Sequence, residues 1–473
     1  APPVADDRHY IKFMKIYKKL TKIDEFKLLK AAQEPAKLAR KLHPFYRGKI
    51  EVVPKCRVET LNDFSIWYSP GAAAACTDIS KNPELVYEYT NKWNTVGVVS
   101  DGTRVLGLGD IGPEAGLPVM EGKALLYKYL GGVDAFPLCL DTKDEKEIIQ
   151  TVKILQPSLG GVNLEDISQP KCFSILNTLR NECKIPVWHD DQQGTALVTL
   201  AGFINALKIV GKKVNKIKIA MIGAGAANIC ISKLLVLYGA NPANIVMIDV
   251  KGTLHKDRQD LKSCKEQWNM ALITNAGNIK GGAKEAMENA DVVIALSAPG
   301  PGVIKKEWIK SMAKNPIVFT CANPMPEIWP WEAKDAGAAI VATGRSDFEN
   351  QVNNSLGFPG VFRGALDVRA FTITDTMCIT AAIELASCVP DNKIKPDKIL
   401  PTMDDWEIFP KIAAAIGVKA VKEKVAGKKM SYDKIYSVAK DIIKRSRAIT
   451  ETMMKKGYIK SAKNRIKYYN KRH

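Results

Sequence analysis

Apolar positions in this chain come in short β-branched runs that alternate with longer stretches of helical spacing. From Lys216 the order is strand, turn, helix, strand: KIKIAMI, the turn GAGAAN, the apolar helix ICISKLLVLYGA and the strand NIVMIDV. Further candidate strands follow at DVVIALS (291–297), PIVFTC (316–321) and AAIVATG (338–344). Strands alternating with helices predict a parallel, doubly wound sheet. Upstream lies a region punctuated by Gly and Pro, with SPGAAAAC, VVSDGTRVLGLGDIGPEAGLPVMEGK and GGVDAFPLCL. Its short β-branched runs, each closed by a turn, predict strands of another α/β sheet. YRGKIEVVPKCRVET (46–60) also reads as strand-like. Thr195 to Val210 predicts a long apolar helix. Residues 1–45 read as charged amphipathic helices, with Lys15, Lys18, Lys19 and Lys22 set among Ile16, Tyr17 and Leu20. From about 365 the pattern returns to helices, interrupted by the Pro-rich connection at 390–410.

A chain of 473 residues exceeds one ordinary core and calls for at least two domains. Its hydrophobic and charged fractions, 46% and 25%, are those of an ordinary globular protein. No uninterrupted apolar run reaches the ~18 residues that span a bilayer, so no membrane association is expected. The opening APPVADD supports neither a secretory signal nor a transit peptide. Ten cysteines are scattered singly, with no zinc-like spacing, which fits reduced thiols in a cytoplasmic setting. The net charge of +19 invites a nucleic-acid reading. Its location weakens that reading: from Lys419 onward there are 18 Lys/Arg against 4 Asp/Glu. Most of the excess belongs to one tail, where Ile442, Ile443, Ile449, Met453 and Met454 sit among the cations. That pattern predicts an amphipathic helix packed on the body or on a partner subunit. Binding to nucleic acid, to a membrane surface or to an anionic metabolite is the minority reading.

Two features carry the chemistry. Glu165 and Asp166 in GGVNLEDIS, with Asp191 in PVWHDDQQGTA, offer hard oxygen ligands suited to Mg²⁺ or Mn²⁺. The bland alternative for Asp190 and Asp191 is capping of the apolar helix that follows. His189 reads as a packed residue rather than a ligand. In the turn Gly223-Ala224-Gly225-Ala226-Ala227-Asn228, the first two glycines match a dinucleotide fingerprint and Asn228 replaces the third. The first glycine permits a tight turn. The second lets backbone N–H groups approach a pyrophosphate. Asp249, ending the next strand, suits the ribose 2′-OH of NAD, while Lys251, His255, Lys256 and Arg258 suit the 2′-phosphate of NADP. The choice stays open, with a tilt toward NADP.

These stretches together resemble the malic enzymes, in particular the short bacterial and archaeal type. The resemblance runs from about Tyr46 to about Val425 and rests on many segments in the same order. They are WYSPGAAAAC, VVSDGTRVLGLGDIGPEAGLPVMEGKALLYK, GGVNLEDIS, PVWHDDQQGTA, GAGAAN, CANPMPEI, VATGRSDFENQVNNSLGFPGVFRGALD and FPKIAAAIGVKAVKE. It implies a catalytic α/β domain (46–194), while the N-terminal helical extension (1–45) and the tail beyond Val425 lie outside the resemblance. A Rossmann-type NAD(P)-binding domain (195–388) and a C-terminal helical region with the basic tail (389–473) complete the division. It further implies that Glu165, Asp166 and Asp191 hold the metal. Lys123 becomes the general base, Tyr68 the general acid, and Asp190 the residue that orients the lysine. Thr195, the GAGAAN turn, Asp249, Lys251, Ser297 and Asn323 become cofactor contacts. Arg104, Asn323 and Asn354 become substrate contacts, Arg104 standing where long-form relatives place a carboxylate-binding arginine. Two departures are Gln193, where short-form relatives commonly have His, and Ala72, where Val is usual.

The implied reaction is NAD(P)-linked oxidation and decarboxylation of (S)-malate to pyruvate by a cytoplasmic homodimer. A malolactic enzyme, releasing lactate, is the nearest rival. Lys123 can serve as a base only if its ordinary value of about 10.4 falls toward the working pH. Burial and a nearby cation push in that direction, while Asp190 opposes it.

Overall fold

Four short apolar runs in the first half of the chain pair side by side in a computed structural model that describes residues 35–462. They are β1 (Thr95–Ser100), β2 (Asp134–Cys139), β3 (Gly161–Leu164) and β4 (Val187–His189), in the order β2-β1-β3-β4. Every pairing is parallel, with Val99 opposite Leu164 and Leu164 opposite His189. Parallel neighbours need crossover connections, supplied here by helices including α1 (Pro113–Gly131) and α2 (Lys171–Glu182). The register aligns the strand ends. Residues just past them, Glu165 after β3 and Asp190 after β4, therefore emerge along one edge.

After β4 the chain makes a wide helical turn, Asp190–Gly194, and enters α3 (Thr195–Val210). Every residue from Ala196 to Leu207 in α3 is buried. The stretch Asp190–Val210 is long and apolar enough to cross a membrane by composition, but 78% of its apolar window is buried inside the protein. A helix apolar all round is what a buried core element requires.

The second sheet contains β5 (Ile219–Ile222), β6 (Ile245–Asp249), β7 (Gly252–Thr253), β8 (Val292–Ala295), β9 (Ile317–Thr320) and β10 (Ile340–Thr343). Their order is β10-β9-β8-β5-β6-β7, parallel except for the β6–β7 hairpin. The chain steps from β5 to β6 on one side and returns to β8 on the other. That reversal opens a crevice at the strand ends, where doubly wound sheets bind ligands. The helix α4 (Ala226–Tyr238) follows the GAGAAN turn.

Helices close the chain: α5 (Phe358–Asp367), α6 (Asp375–Ser387), α7 (Ile408–Lys422) and α8 (Tyr432–Lys455). Gly360 and Gly364 face α7 so closely that side chains there would run into Ile412 and Ala413. On α8, Ile435, Ala439, Ile443 and Ser446 form a buried stripe, and the Ser446 hydroxyl donates to Lys128 O at 2.8 Å. The Arg447 guanidinium lies 4.5 Å from the Tyr129 ring. The basic tail thus begins as a packed helix with its cations outward. Its last stretch, 463–473, lies outside the described residues.

Val52–Glu451 form one compact unit, and the residues before and after it form another. In the second unit a helix runs over 35–46, and the Tyr46 hydroxyl donates to Lys460 O at 2.8 Å. The helices expected before residue 35 lie outside the described residues. The strand expected within 46–60 does not form. Pro54 lacks a ladder donor, and Val52 stands 81% exposed with no sheet edge to complete.

Candidate functional site

The edge where β3 and β4 end gathers four carboxylates around one lysine. Lys123, on α1, is 7% exposed; its Nζ lies 2.5 Å from Asp190 Oδ2 and 2.9 Å from Glu165 Oε1. It also sits 4.3 Å from the centre of the Phe358 ring. Asp190 is pinned from behind by the Trp188 indole N–H at 2.9 Å. Asp166 takes a left-handed backbone, φ +54°, and its N–H donates to Asp191 Oδ2 at 2.9 Å. Glu165, Asp166 and Asp191 thereby bring one oxygen each to within 4.8 Å of one another.

Burial sets the electrostatics. It penalises the charged form of Lys123, but Asp190 and Glu165 outweigh it and hold the ammonium above its ordinary range. The two acidic neighbours thus reverse the lowered lysine expected from burial. Burial pushes the Glu165 carboxyl well up, against the pull of Lys123, and Asp191, Asp190 and Asp166 push it further. Burial and then Asp191 push Asp166 up to about 8. His189 is fully buried and depressed by burial; its Nε2 lies 3.4 Å from Asp191 Oδ2. Gln193 accepts from the His189 N–H at 3.1 Å.

A divalent cation fits this donor set. Asp166 Oδ2 is buried with no hydrogen-bond partner. Asp190 and Glu165 face the ammonium and Asp166 and Asp191 stand beside them, an excess of negative charge that a hard dication bound by oxygens relieves. Helix capping, the bland alternative for Asp190, is not what that side chain does: it faces Lys123 and Trp188.

Loops bring other residues to this edge. The N–H of Arg104 donates to Asp166 O at 2.9 Å, while its exposed side chain reaches Leu106 O at 3.1 Å. A side chain at Gly107 would meet Asn323 O at 2.9 Å, so the Arg104 loop adjoins the cis Asn323–Pro324 turn after β9. Asn354 begins a short turn beside Gly194, its Cβ 3.3 Å from where a Gly194 side chain would start. Thr195 opens α3, half-buried. Tyr68 is not in the cluster. It stands 78% exposed at the end of Phe64–Trp67, a short helix with no buried residue to draw it inward.

At the second sheet Gly223 has φ +103°, and a side chain there would meet Leu296 O at 2.5 Å, so only glycine makes this turn. Gly225 starts α4 facing open space, with Ala226 and Ala227 in its first turn. Asn228, expected to contact cofactor, points inward instead. It is fully buried, and its amide donates to Ile222 O and Gly223 O at 3.0 and 2.9 Å, bracing the turn. Ala224 is also mostly buried, and its carbonyl accepts from Gln267 at 2.8 Å.

Asp249 is gripped by both terminal nitrogens of Arg258, at 3.0 and 2.7 Å, and accepts from the Lys251 N–H. Asp260 takes the remaining Arg258 donors and the Lys251 ammonium. Two of the cations expected to meet a 2′-phosphate, Lys251 and Arg258, are thus paired within the protein. Sequence reasoning passed over Asp260. It also missed Glu327, whose buried carboxylate accepts from Ser297 N at 2.9 Å and Ala322 N at 3.2 Å. This ties together the loops after β8 and β9, and burial pushes Glu327 up to about 7.

Comparison with known proteins fits both halves of this arrangement. Residues 47–149 match the family described as "Malic enzyme, N-terminal domain", and residues 192–425 match "Malic enzyme, NAD binding domain". The bifunctional malic/malolactic enzyme of Bacillus subtilis is 50% identical over 81% of this chain and 93% of its own. The NADP-dependent malic enzyme of Halomonas elongata is 43% identical over 80% and 92%. The crystal structure of Entamoeba histolytica malic enzyme superposes with a TM-score of 0.88 at 50% identity, covering 90% of each chain.

Proposed function

The chain belongs to the malic enzyme family, and we infer that it converts (S)-malate to pyruvate and CO₂ while reducing NAD(P)⁺. The observation that supports this chemistry most is the buried meeting of Lys123 with Glu165 and Asp190, beside the Glu165–Asp166–Asp191 oxygens. Malate carries a C2 hydroxyl that must lose a proton as hydride leaves C2, and then a carboxylate that must leave C3. In this reading Lys123, once its ammonium has given up a proton, takes the hydroxyl proton, with Asp190 fixing its position. Glu165, Asp166 and Asp191 would hold Mg²⁺ or Mn²⁺, which supplies positive charge for the developing alkoxide and enolate. Arg104 and Asn354 border the same edge and suit the substrate's carboxylates. Asn323 and Ser297, on the loops after β9 and β8, suit the nicotinamide end of the cofactor. The GAGAAN turn suits its pyrophosphate.

Tyr68 suits protonation of C3, yet it stands open to solvent in its own chain. Leu61, Phe64, Ile66 and Trp67 around it are exposed as well. We read this apolar segment as a homodimer contact that delivers Tyr68 to the partner's site. The free thiols of all ten cysteines support residence in a reducing, cytoplasmic compartment. We propose that the catalytic domain ends at Gly194, with the dinucleotide-binding domain starting at Thr195.

The test is an initial-rate assay with malate, Mn²⁺ and either NAD⁺ or NADP⁺, with the product identified. Pyruvate formed in step with reduced cofactor supports the reading. Lactate without net reduction would move the chain to the malolactic reaction.

A further inference from the structure

Asn163 lies two residues before Glu165 on β3, and residues two apart share a strand face. Its side chain is fully buried. Three contacts settle the orientation of its amide. The nitrogen donates to Glu165 Oε2 at 2.8 Å and to Leu164 O at 3.1 Å, and the oxygen accepts from the Tyr127 hydroxyl at 2.7 Å. Tyr127 stands one helical turn beyond Lys123 on α1, so both side chains face the strand. The result is a closed ring. Lys123 holds Glu165 by one oxygen, and Tyr127 holds the other through Asn163. Tyr127 is itself wedged against the rings of Phe358 and Phe362, at 4.6 and 5.4 Å between centres.

We propose that Asn163, oriented by Tyr127, is a positioning residue that fixes the Glu165 carboxylate with Oε1 turned toward Lys123 and the metal. The proposal rests on the metal reading given above and adds residues to it. A carboxylate has two equivalent oxygens and a free terminal rotation. Left unrestrained it would sample several poses, and metal affinity would fall accordingly. A neutral amide serves here where a cation would not, because it anchors Oε2 without competing with the metal for charge. The hydroxyl of Tyr127 matters because it keeps the amide from flipping its oxygen toward Glu165.

The test is titration of purified, metal-free protein with Mn²⁺ by calorimetry, with NADH binding and thermal midpoint followed in parallel. The variants are Asn163→Leu, Tyr127→Phe and Asp191→Asn. Asn163→Leu keeps the shape and removes the donor, so Mn²⁺ binding should weaken about 10- to 100-fold with NADH affinity unchanged. Tyr127→Phe should weaken it by a smaller factor in the same direction. Mn²⁺ affinity within twofold of the parent in Asn163→Leu, or in Tyr127→Phe should the first not fold, overturns the proposal. Should Asp191→Asn also bind Mn²⁺ normally, the metal site itself is misplaced, which is a separate failure.

Discussion

Lys123 Nζ lies 2.5 Å from Asp190 Oδ2, and solvent reaches neither side chain appreciably. A lysine so placed is charged in the resting protein, since two carboxylates outweigh its burial. It must shed that proton to act as a base, so Asp190 both orients it and holds its proton. Lys123→Ala should lower kcat by roughly 10²–10⁴-fold while leaving Mn²⁺ binding in place. Asp190→Asn removes a group that raises the lysine, so the acidic limb of the kcat profile should move to lower pH. An unmoved limb would show that Asp190 does not govern the base.

Asp191 is placed differently. It faces Asp166 and His189 rather than Lys123. Asp191→Asn should abolish measurable Mn²⁺-dependent malate oxidation and weaken Mn²⁺ binding, with the fold retained by circular dichroism. Near-normal turnover with Mn²⁺ would remove these carboxylates from metal binding.

The metal-free protein should lose stability as pH rises. Asp166 moves from an ordinary 3.8 to about 8 through burial and the neighbouring Asp191. The folded chain therefore keeps a proton that the unfolded chain gives up near pH 4, and that contribution disappears as pH rises through about 8. Thermal midpoints measured without metal from pH 6 to 9 should fall more steeply for the parent than for Asp166→Asn. Added Mn²⁺ should flatten the parent's slope, because the dication takes the place of the proton. Equal slopes in the two metal-free proteins would contradict this.

The parallel strands of the second sheet, and the runs that become β1 and β2, were legible because parallel strands leave short apolar runs, whereas the apolar runs of β3, β4 and β7 are too short to stand out as strands. The carboxylates were legible because GGVNLEDIS and PVWHDDQQGTA resemble a family's motifs. What escaped was set by tertiary contact. Pro54 aside, nothing local marks 46–60 as lacking a partner strand, so Val52 and Val53 read as strand residues. The inward rotation of Asn228 depends on the carbonyls of the turn behind it. The raised state of Lys123 depends on Glu165, 42 positions away, joining Asp190 at its ammonium. One signal was available and unused: Asn163 is a lone polar residue in the otherwise apolar run of β3.

Gly223→Ala tests the proposed cofactor site apart from the proposed metal site. Alanine there meets both a positive φ and the carbonyl of Leu296. Gly223→Ala should raise the KM for dinucleotide at least tenfold and cost about 1–3 kcal/mol of stability. Calorimetric Mn²⁺ affinity should stay within twofold, because the carboxylates stand on the other sheet. A matched loss of both affinities would mean that the substitution unfolds more than the turn.

Tyr68 offers a test of subunit sharing. In a dimer whose sites take Tyr68 from one chain and Lys123 from the other, Tyr68→Phe and Lys123→Ala chains complement each other. A mixed dimer then contains one site with both defects and one with neither. Equal amounts of the two inactive proteins, dissociated and reassembled, should recover about a quarter of parental activity, since half the dimers are mixed and half their sites intact. Where both residues serve the same chain, every site in every dimer carries a defect and no activity returns. Recovery near a quarter would make the exposure of Tyr68 a property of the isolated chain. Its absence, in a mixture shown by mass spectrometry to contain mixed dimers, would return Tyr68 to the surface of its own subunit.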